Sequence, residues 1–233
     1  MAALPRPKAL VFDLNGTLFP AEAAAAQFRQ LGLPSSAVDL WFSRVLRDGF
    51  AAQLAGSFLP FRHWAGYHLG CLLAAHPQAS KLAGEEAVQR VLGAWATADL
   101  FPDVPPALRD MHAGGYRLCV LTNGSADAVA RPVLSKAGVE GCFEKLLDIN
   151  MANAWKPSPA SYAYAVQQLG LTPEEVMMVA SHPWDVHGAL QAGLQGAYVQ
   201  RNAWEPHLMP AGCPQPRLVS RDFAELADQL AKL

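Results

Sequence analysis

Apolar residues along the chain fall into two rhythms. Short unbroken runs appear at the start and throughout the second half, and a helical periodicity fills the stretch between. Residues 9–12 (Ala-Leu-Val-Phe) end at Asp13 and predict a strand buried on both faces. Asn15-Gly16-Thr17 then breaks regular structure. Over 21–100 one apolar stripe runs through Leu40, Trp41, Val45 and Leu46 to Phe50, Leu54 and Phe58. Leu69, Leu72 and Leu73 continue it, and Val88, Val91, Leu92 and Trp95 close it, so this block is predicted to be all helical.

From residue 101 the pattern alternates. Helices are predicted at 106–113, 126–137, 159–169, 185–192 and 222–231. Strands are predicted at 116–121, 145–149, 176–180, 196–200 and 217–219, with a proline-rich loop at 205–216. Strand–helix alternation implies an α/β fold with a parallel sheet and helices on both faces. Ligands of such sheets bind beyond the carboxyl ends of the strands. Asp13, Thr122-Asn123 and Ser181-His182 stand at those ends.

Composition narrows the class. The 233 residues are 52% hydrophobic and 16% charged, with 18 Lys+Arg against 20 Asp+Glu and a net charge of −2. That apolar content excludes intrinsic disorder, and the near-neutral, unblocked charge argues against a general nucleic-acid or anionic-membrane binder. No C-x-x-C pair or zinc spacing links Cys71, Cys119, Cys142 and Cys213, and Cys119 reads as a small buried hydrophobe. No apolar run is long enough to span a membrane, and no signal-peptide pattern opens the chain, so a cytoplasmic location is expected.

Four stretches carry residues suited to chemistry. Asp13 puts a carboxylate at the rim of a buried strand, where it serves as a nucleophile or caps a turn. Thr122-Asn123-Gly124-Ser125 opens a helix and suits either an anion or simple N-capping. Lys156 precedes a helix start, as the partner of a buried carboxylate or as a surface lysine. Ser181-His182-Pro183-Trp184-Asp185 ends a strand and offers a base or hydrogen-bond partner in His182, an apolar wall in Trp184 and a carboxylate in Asp185, against loop and capping roles for the same residues. The remaining histidines (His63, His68, His76, His112, His187, His207) read as structural or surface residues.

Taken in order, Phe12-Asp13-x-Asn15-Gly16-Thr17, Leu121-Thr122-Asn123-Gly124, Lys156-Pro157 and His182-Pro183-Trp184-Asp185 resemble the four motifs of the haloacid dehalogenase superfamily. The resemblance spans nearly the whole chain. It implies a Rossmann-like core of residues 1–19 and 101–233 with a helical cap inserted at 20–100. The superfamily holds magnesium-dependent phosphatases and metal-free 2-haloacid dehalogenases. Phosphatases place an aspartate where Asn15 stands and a further acid where Ser181 stands, and Trp184-Asp185 is similar to motif four of the type II (L-)2-haloacid dehalogenases. An amide delivers no proton at neutral pH, and magnesium wants anionic oxygens.

The resemblance therefore implies hydrolysis of a short 2-haloacid through an aspartyl ester, with no cofactor; Mg²⁺ enters only under the phosphatase alternative, and a silent binder of the same fold is the third. It implies Asp13 as nucleophile, Thr122 and Asn123 as holders of the substrate carboxylate, and Lys156, Asp185 and His182 as the charge and water network. Leu14, Asn15 and Trp184 would line the substrate. The family receives the halide on a cap arginine after a Leu-Trp pair. Here Leu40-Trp41 is followed by Phe42, which leaves Arg44 or Arg47, further along the same helix, as the cap arginine, although at about 100° per residue Arg44 would face elsewhere unless the register differs. The implied partner is a small-molecule substrate, not nucleic acid or membrane, with homodimerisation through cap aromatics such as Trp41, Phe50 and Trp64.

Overall fold

A computed structural model describes residues 4–79, 84–201, 210 and 212–233. Its centre is a six-stranded sheet in the order β3-β2-β1-β4-β5-β6, with every pairing parallel. The strands are β1 (Ala9–Phe12), β2 (Arg117–Thr122), β3 (Phe143–Asp148), β4 (Val176–Ala180), β5 (Gln195–Val199) and β6 (Leu218–Ser220). Apolar residues of β1 divide by parity. Leu10 and Phe12 join one buried layer, with Val104, Leu108, Phe223 and Leu226 of the helices on that side. Ala9 and Val11 join the other, with Tyr162, Ala165, Val186 and Ala189. A strand covered on both faces reads as a continuous apolar run, which is why the alternation is invisible in the sequence of β1.

β1 registers Phe12 against Val120 of β2 on one side and against Val179 of β4 on the other. The chain runs outward from β1 through β2 to β3, then returns to start again at β4. The reversal opens a crevice at the carboxyl ends of β1 and β4, where Asp13 and Ser181 emerge.

The predicted helical block contains α1 (Ala25–Gln30), α2 (Ala37–Leu54), α3 (Phe61–Ala74) and α4 (Gly84–Ala96), after a short 3-10 turn at Ala21–Ala24. Trp41, Phe61 and Trp95 pack ring against ring inside it. Trp41 is fully buried and donates to Ala65 O, and Phe50 packs on Trp155 and Trp184. Trp41 is therefore not part of the exposed dimer surface expected of it, because its ring is spent on internal packing; Phe50, on the opposite side of α2, is half-buried. Trp64 is half-buried, with its ring against His63, Tyr67 and His68.

The second half holds α5 (Val104–Ala113), α6 (Arg131–Lys136), α7 (Ile149–Ala152), α8 (Pro159–Leu169), α9 (Pro183–Gln191) and α10 (Phe223–Leu230). Three expected helices differ. The one expected from 106 begins at Val104. The one expected at 126–137 opens with a π-turn at Ala126–Ala130, in which Ala130 N–H reaches back to Ser125 O; Pro132, lacking an N–H, follows at the start of α6. The one expected from 185 begins at Pro183, the first-turn position that proline favours. The short α7 after β3 was not expected, and β3 itself starts earlier than 145. The proline-rich loop lies outside the described residues except for 210 and 212–216, and so does His207. Among the described residues no helix is long and apolar enough to cross a membrane.

Candidate active site

The loop after β1 places Asp13 at the crevice, 5% exposed. Thr17, one turn on, donates from its hydroxyl to Asp13 Oδ2 at 2.7 Å. The same Thr17 oxygen accepts from the Ser181 backbone N–H at 3.0 Å, while the Ser181 hydroxyl donates to Gly16 O at 2.8 Å. Ser181, where a phosphatase would carry an acid, thus ties the β4 end to the β1 loop.

Lys156 comes from the segment between α7 and α8. It is not a surface lysine: it is 0% exposed, and its ammonium donates to Asp13 Oδ1 at 2.9 Å and to Asp185 Oδ2 at 2.6 Å. Its backbone is clamped from the core side by Asn123, whose Oδ1 accepts Lys156 N–H at 2.9 Å and whose Nδ2 donates to Lys156 O at 3.1 Å. From the cap side, the preceding Trp155 is held by Gln53 Oε1 on its backbone N–H and by Leu59 O on its indole N–H, both at 2.9 Å. A Cβ on Gly49 of α2 would sit 2.7 Å from the Trp155 ring, so only glycine lets α2 come this close.

Asp185 lies in the first turn of α9, fully buried, where the helix N-terminus favours a carboxylate. Tyr162 of α8 donates to its Oδ1 at 2.6 Å. Gly188 permits that approach, since a Cβ there would meet Tyr162 Oη at 2.8 Å and Pro157 Cβ at 2.5 Å. Tyr162, Thr17 and Ser181 were not singled out as site residues. The helix-interior glycine is the sequence signal that could have pointed to the α8–α9 contact.

Burial alone would raise the Asp13 pKa. The Lys156 ammonium, His182 and the hydrogen bonds from Lys156 and Thr17 outweigh it and hold Asp13 below the ordinary carboxylate value. Lys156 is desolvated too, yet Asp13 and Asp185 together raise it above the usual lysine value. Asp185 is raised, first by burial and also by the charge of Asp13, against the pull of Lys156. Burial, then the charge of Asp185, pushes the Tyr162 phenol well above its usual value.

A pH prediction follows from these directions. A depressed Asp13 contributes stability above its unfolded pKa of 3.8, and that stability is lost as pH falls through its lower folded value. A raised Lys156 contributes below 10.5, and loses it as pH rises through its higher folded value. Asp185 opposes both, costing stability as pH rises through its raised pKa. The expected turnover profile keeps Asp13 ionised down to below about pH 4, so its acid limb lies below the range of a free carboxylate. A kcat/KM profile with an acid pKa near 6 would contradict this.

The chamber around Asp13 is small, with about 10 Å³ open to the centre of a water-sized sphere. Its polar wall is Asp13, Asn15, Thr122, Asn123, Gly124 and His182; its carbon wall is Phe42, Leu46, Phe61 and Trp184. His182 bonds through Nε2 to Asn15 O at 2.8 Å, stacks on Trp184 with ring centroids 5.3 Å apart, and lies 3.6 Å from Asp13 Oδ2.

Three expectations change. Arg44 does not line the chamber; Phe42 and Leu46 do. At about 100° per residue, position 44 faces away from 42 and 46. Leu14 is fully buried and its side chain is not part of the wall. The anion-binding helix start is partly spent: Ala126 N–H donates to Asp148 Oδ2 at 2.9 Å, Gly124 N–H to Thr122 Oγ1 at 3.0 Å and Ala128 N–H to Ser125 Oγ at 3.1 Å.

The donor set does not suit a magnesium ion. Lys156 occupies the position between Asp13 and Asp185, Asn15 and Ser181 are neutral, and among the described residues no three His, Cys, Asp or Glu side chains converge as ligands.

Residues 7–193 match the family described as haloacid dehalogenase-like hydrolase. The chain belongs to this family. Haloacetate dehalogenase H-2 of Moraxella sp. (strain B) is 30% identical over 196 residues, covering 83% of this chain and 86% of the relative. A crystal structure of an L-2-haloacid dehalogenase superposes with a TM-score of 0.84 at 26% identity, over 97% of this chain and 99% of the other. The L-2-haloacid dehalogenase of Xanthobacter autotrophicus with chloropropionic acid covalently bound shares the fold at TM-score 0.82 and 23% identity, over 96% and 98% of the two chains.

Proposed function

We propose that this family member hydrolyses the carbon–halogen bond of a short 2-haloacid through an ester on Asp13. The observation that supports the reading is the pair of neutral side chains at the two positions where a phosphatase carries acids: Asn15 lines the chamber beside Asp13, and the Ser181 hydroxyl donates to Gly16 O. In the first step an Asp13 oxygen attacks the halogen-bearing carbon, a C–O bond forms, and halide departs with the electron pair of the C–X bond. No leaving-group proton is needed, so an amide at position 15 is no handicap. Lys156 holds Asp13 as the anion and Thr17 fixes its other oxygen.

In the second step water adds to the Asp13 ester carbonyl, and the collapse releases the 2-hydroxy acid and regenerates the carboxylate. Asp185 and Lys156 hold the charge and position that water. Backbone N–H groups of the Thr122-Asn123 loop hold the substrate carboxylate, and Trp184 with the cap carbons encloses the rest. The chemistry calls for no metal or cofactor.

The test is multiple turnover on chloroacetate or 2-chloropropionate in ¹⁸O water, followed by mass spectrometry of the Asp13 peptide. Expected are chloride release and ¹⁸O in the Asp13 carboxylate. Folded protein that releases no halide from any 2-haloacid, or that instead cleaves a phosphomonoester in an EDTA-sensitive reaction, would overturn the reading.

A further inference from the structure

A halide leaving a carbon in this chamber needs a partner, because an anion in a dry, carbon-lined space is costly. Among the described residues no cap cation lines this chamber: Phe42 stands on the wall and Arg44 does not. Lys156 is spent on the two carboxylates. The other polar side chains of the wall are largely committed. Asn123 gives its amide to the Lys156 backbone, His182 gives Nε2 to Asn15 O, and Thr122 Oγ1 accepts from Gly124.

Asn15 differs from these. Its side chain is 7% exposed, lines the chamber, and makes no hydrogen bond among the described residues. A side-chain amide on the chamber wall with no protein partner is free to meet a ligand there. Its backbone is fixed, since His182 holds Asn15 O at 2.8 Å and Gly16, next in the chain, returns its N–H to Phe19 O at 2.8 Å. The residue is therefore pre-placed, with both amide hydrogens uncommitted, two positions after the nucleophile.

We infer that the Asn15 side-chain amide is the halide acceptor, a neutral hydrogen-bond donor in place of a cap arginine. Phe42 and Phe61 keep water from the leaving anion, and the amide gives it a directed partner. The ligand class is a monatomic halide. The inference rests on the proposed dehalogenation and assigns its leaving-group site.

The experiment compares wild type and Asn15→Ala on fluoroacetate, chloroacetate and bromoacetate, with ³⁵Cl NMR line broadening as a readout of chloride binding that needs no turnover. Fluoride concentrates charge and accepts hydrogen bonds most strongly, so the loss should be graded. For the poorest leaving group kcat/KM should fall about ten- to a hundredfold, the effect of one hydrogen bond to a charged group, and for bromoacetate by several-fold less. Chloride broadening should drop in the variant. Equal losses on all three substrates with unchanged chloride broadening would overturn the assignment and make Asn15 a structural residue. If wild type releases no halide from any substrate, the dehalogenase reading fails; chloride broadening that still depends on Asn15 then upholds the anion site, and broadening that does not depend on it removes the site as well.

Discussion

Lys156→Met should cost stability and activity together. The variant leaves Asp13 and Asp185 buried with no cation between them. Removing one side of a buried ion pair costs about 3–5 kcal/mol. For a chain of this size that lowers the thermal midpoint by roughly 10 °C. Part of the loss is relieved if one carboxyl takes up a proton, and then the nucleophile is compromised as well. Melting curves at pH 5 and pH 8 read this directly: the variant's deficit should shrink at the lower pH, where protonation is easier. Lys156→Arg should not restore turnover, because a planar guanidinium does not fill the compact site of an ammonium that is 0% exposed. A Lys156→Met protein that melts like wild type would show that the triad is not charged as described.

Asp13→Asn should separate the two quantities. The amide keeps the shape of the side chain but is a far poorer nucleophile, so halide release should fall by at least about a thousandfold. Stability should change little, because two effects oppose each other. The ion pair with Lys156 that depresses the Asp13 pKa is lost, while the repulsion by which Asp13 raises Asp185 is relieved. Lys156 and Asp185 remain as a matched pair. The thermal midpoint should therefore stay within a few degrees of wild type. A midpoint several degrees lower would mean that Asp13 is a structural anchor first.

The parts of this fold legible from sequence are those with local signals. Helix α8 was read to its ends because Ser158-Pro159 starts it and Gly170, at φ 63°, stops it. Strand β4 was read because Val176–Ala180 is an unbroken buried run between Glu175 and Ser181. The site residues read from motif order do assemble: Asp13, Lys156 and Asp185 meet although they lie far apart in the chain. What stayed hidden depends on how elements cross. Tyr162 looks like one more apolar residue of α8 until Gly188 brings α9 within reach of its hydroxyl. Asp148 reads as the end of β3, yet it caps α7 through Asn150 N–H and also takes the Ala126 N–H of the neighbouring loop. Arg44 stays off the chamber wall, as the helical phase of α2 predicts, while Phe42 and Leu46 line it. The burial of Trp41, Val45 and Gly49 on one line of α2 sets a different face toward the nucleophile.

Trp155 donates hydrogen bonds to two parts of the helical block, Gln53 and Leu59, and is followed directly by the residue that bridges both acids. The lid is therefore not a freely exchangeable module. A chimera that grafts the helical block of a relative between residues 19 and 101 must bring its own glycine notch for this ring, a glutamine acceptor for its backbone N–H and a carbonyl for its indole N–H. Without them, a transplant that folds and closes would still leave the ammonium loosely seated, and the penalty would appear at Asp13, in a part of the protein the graft never touched.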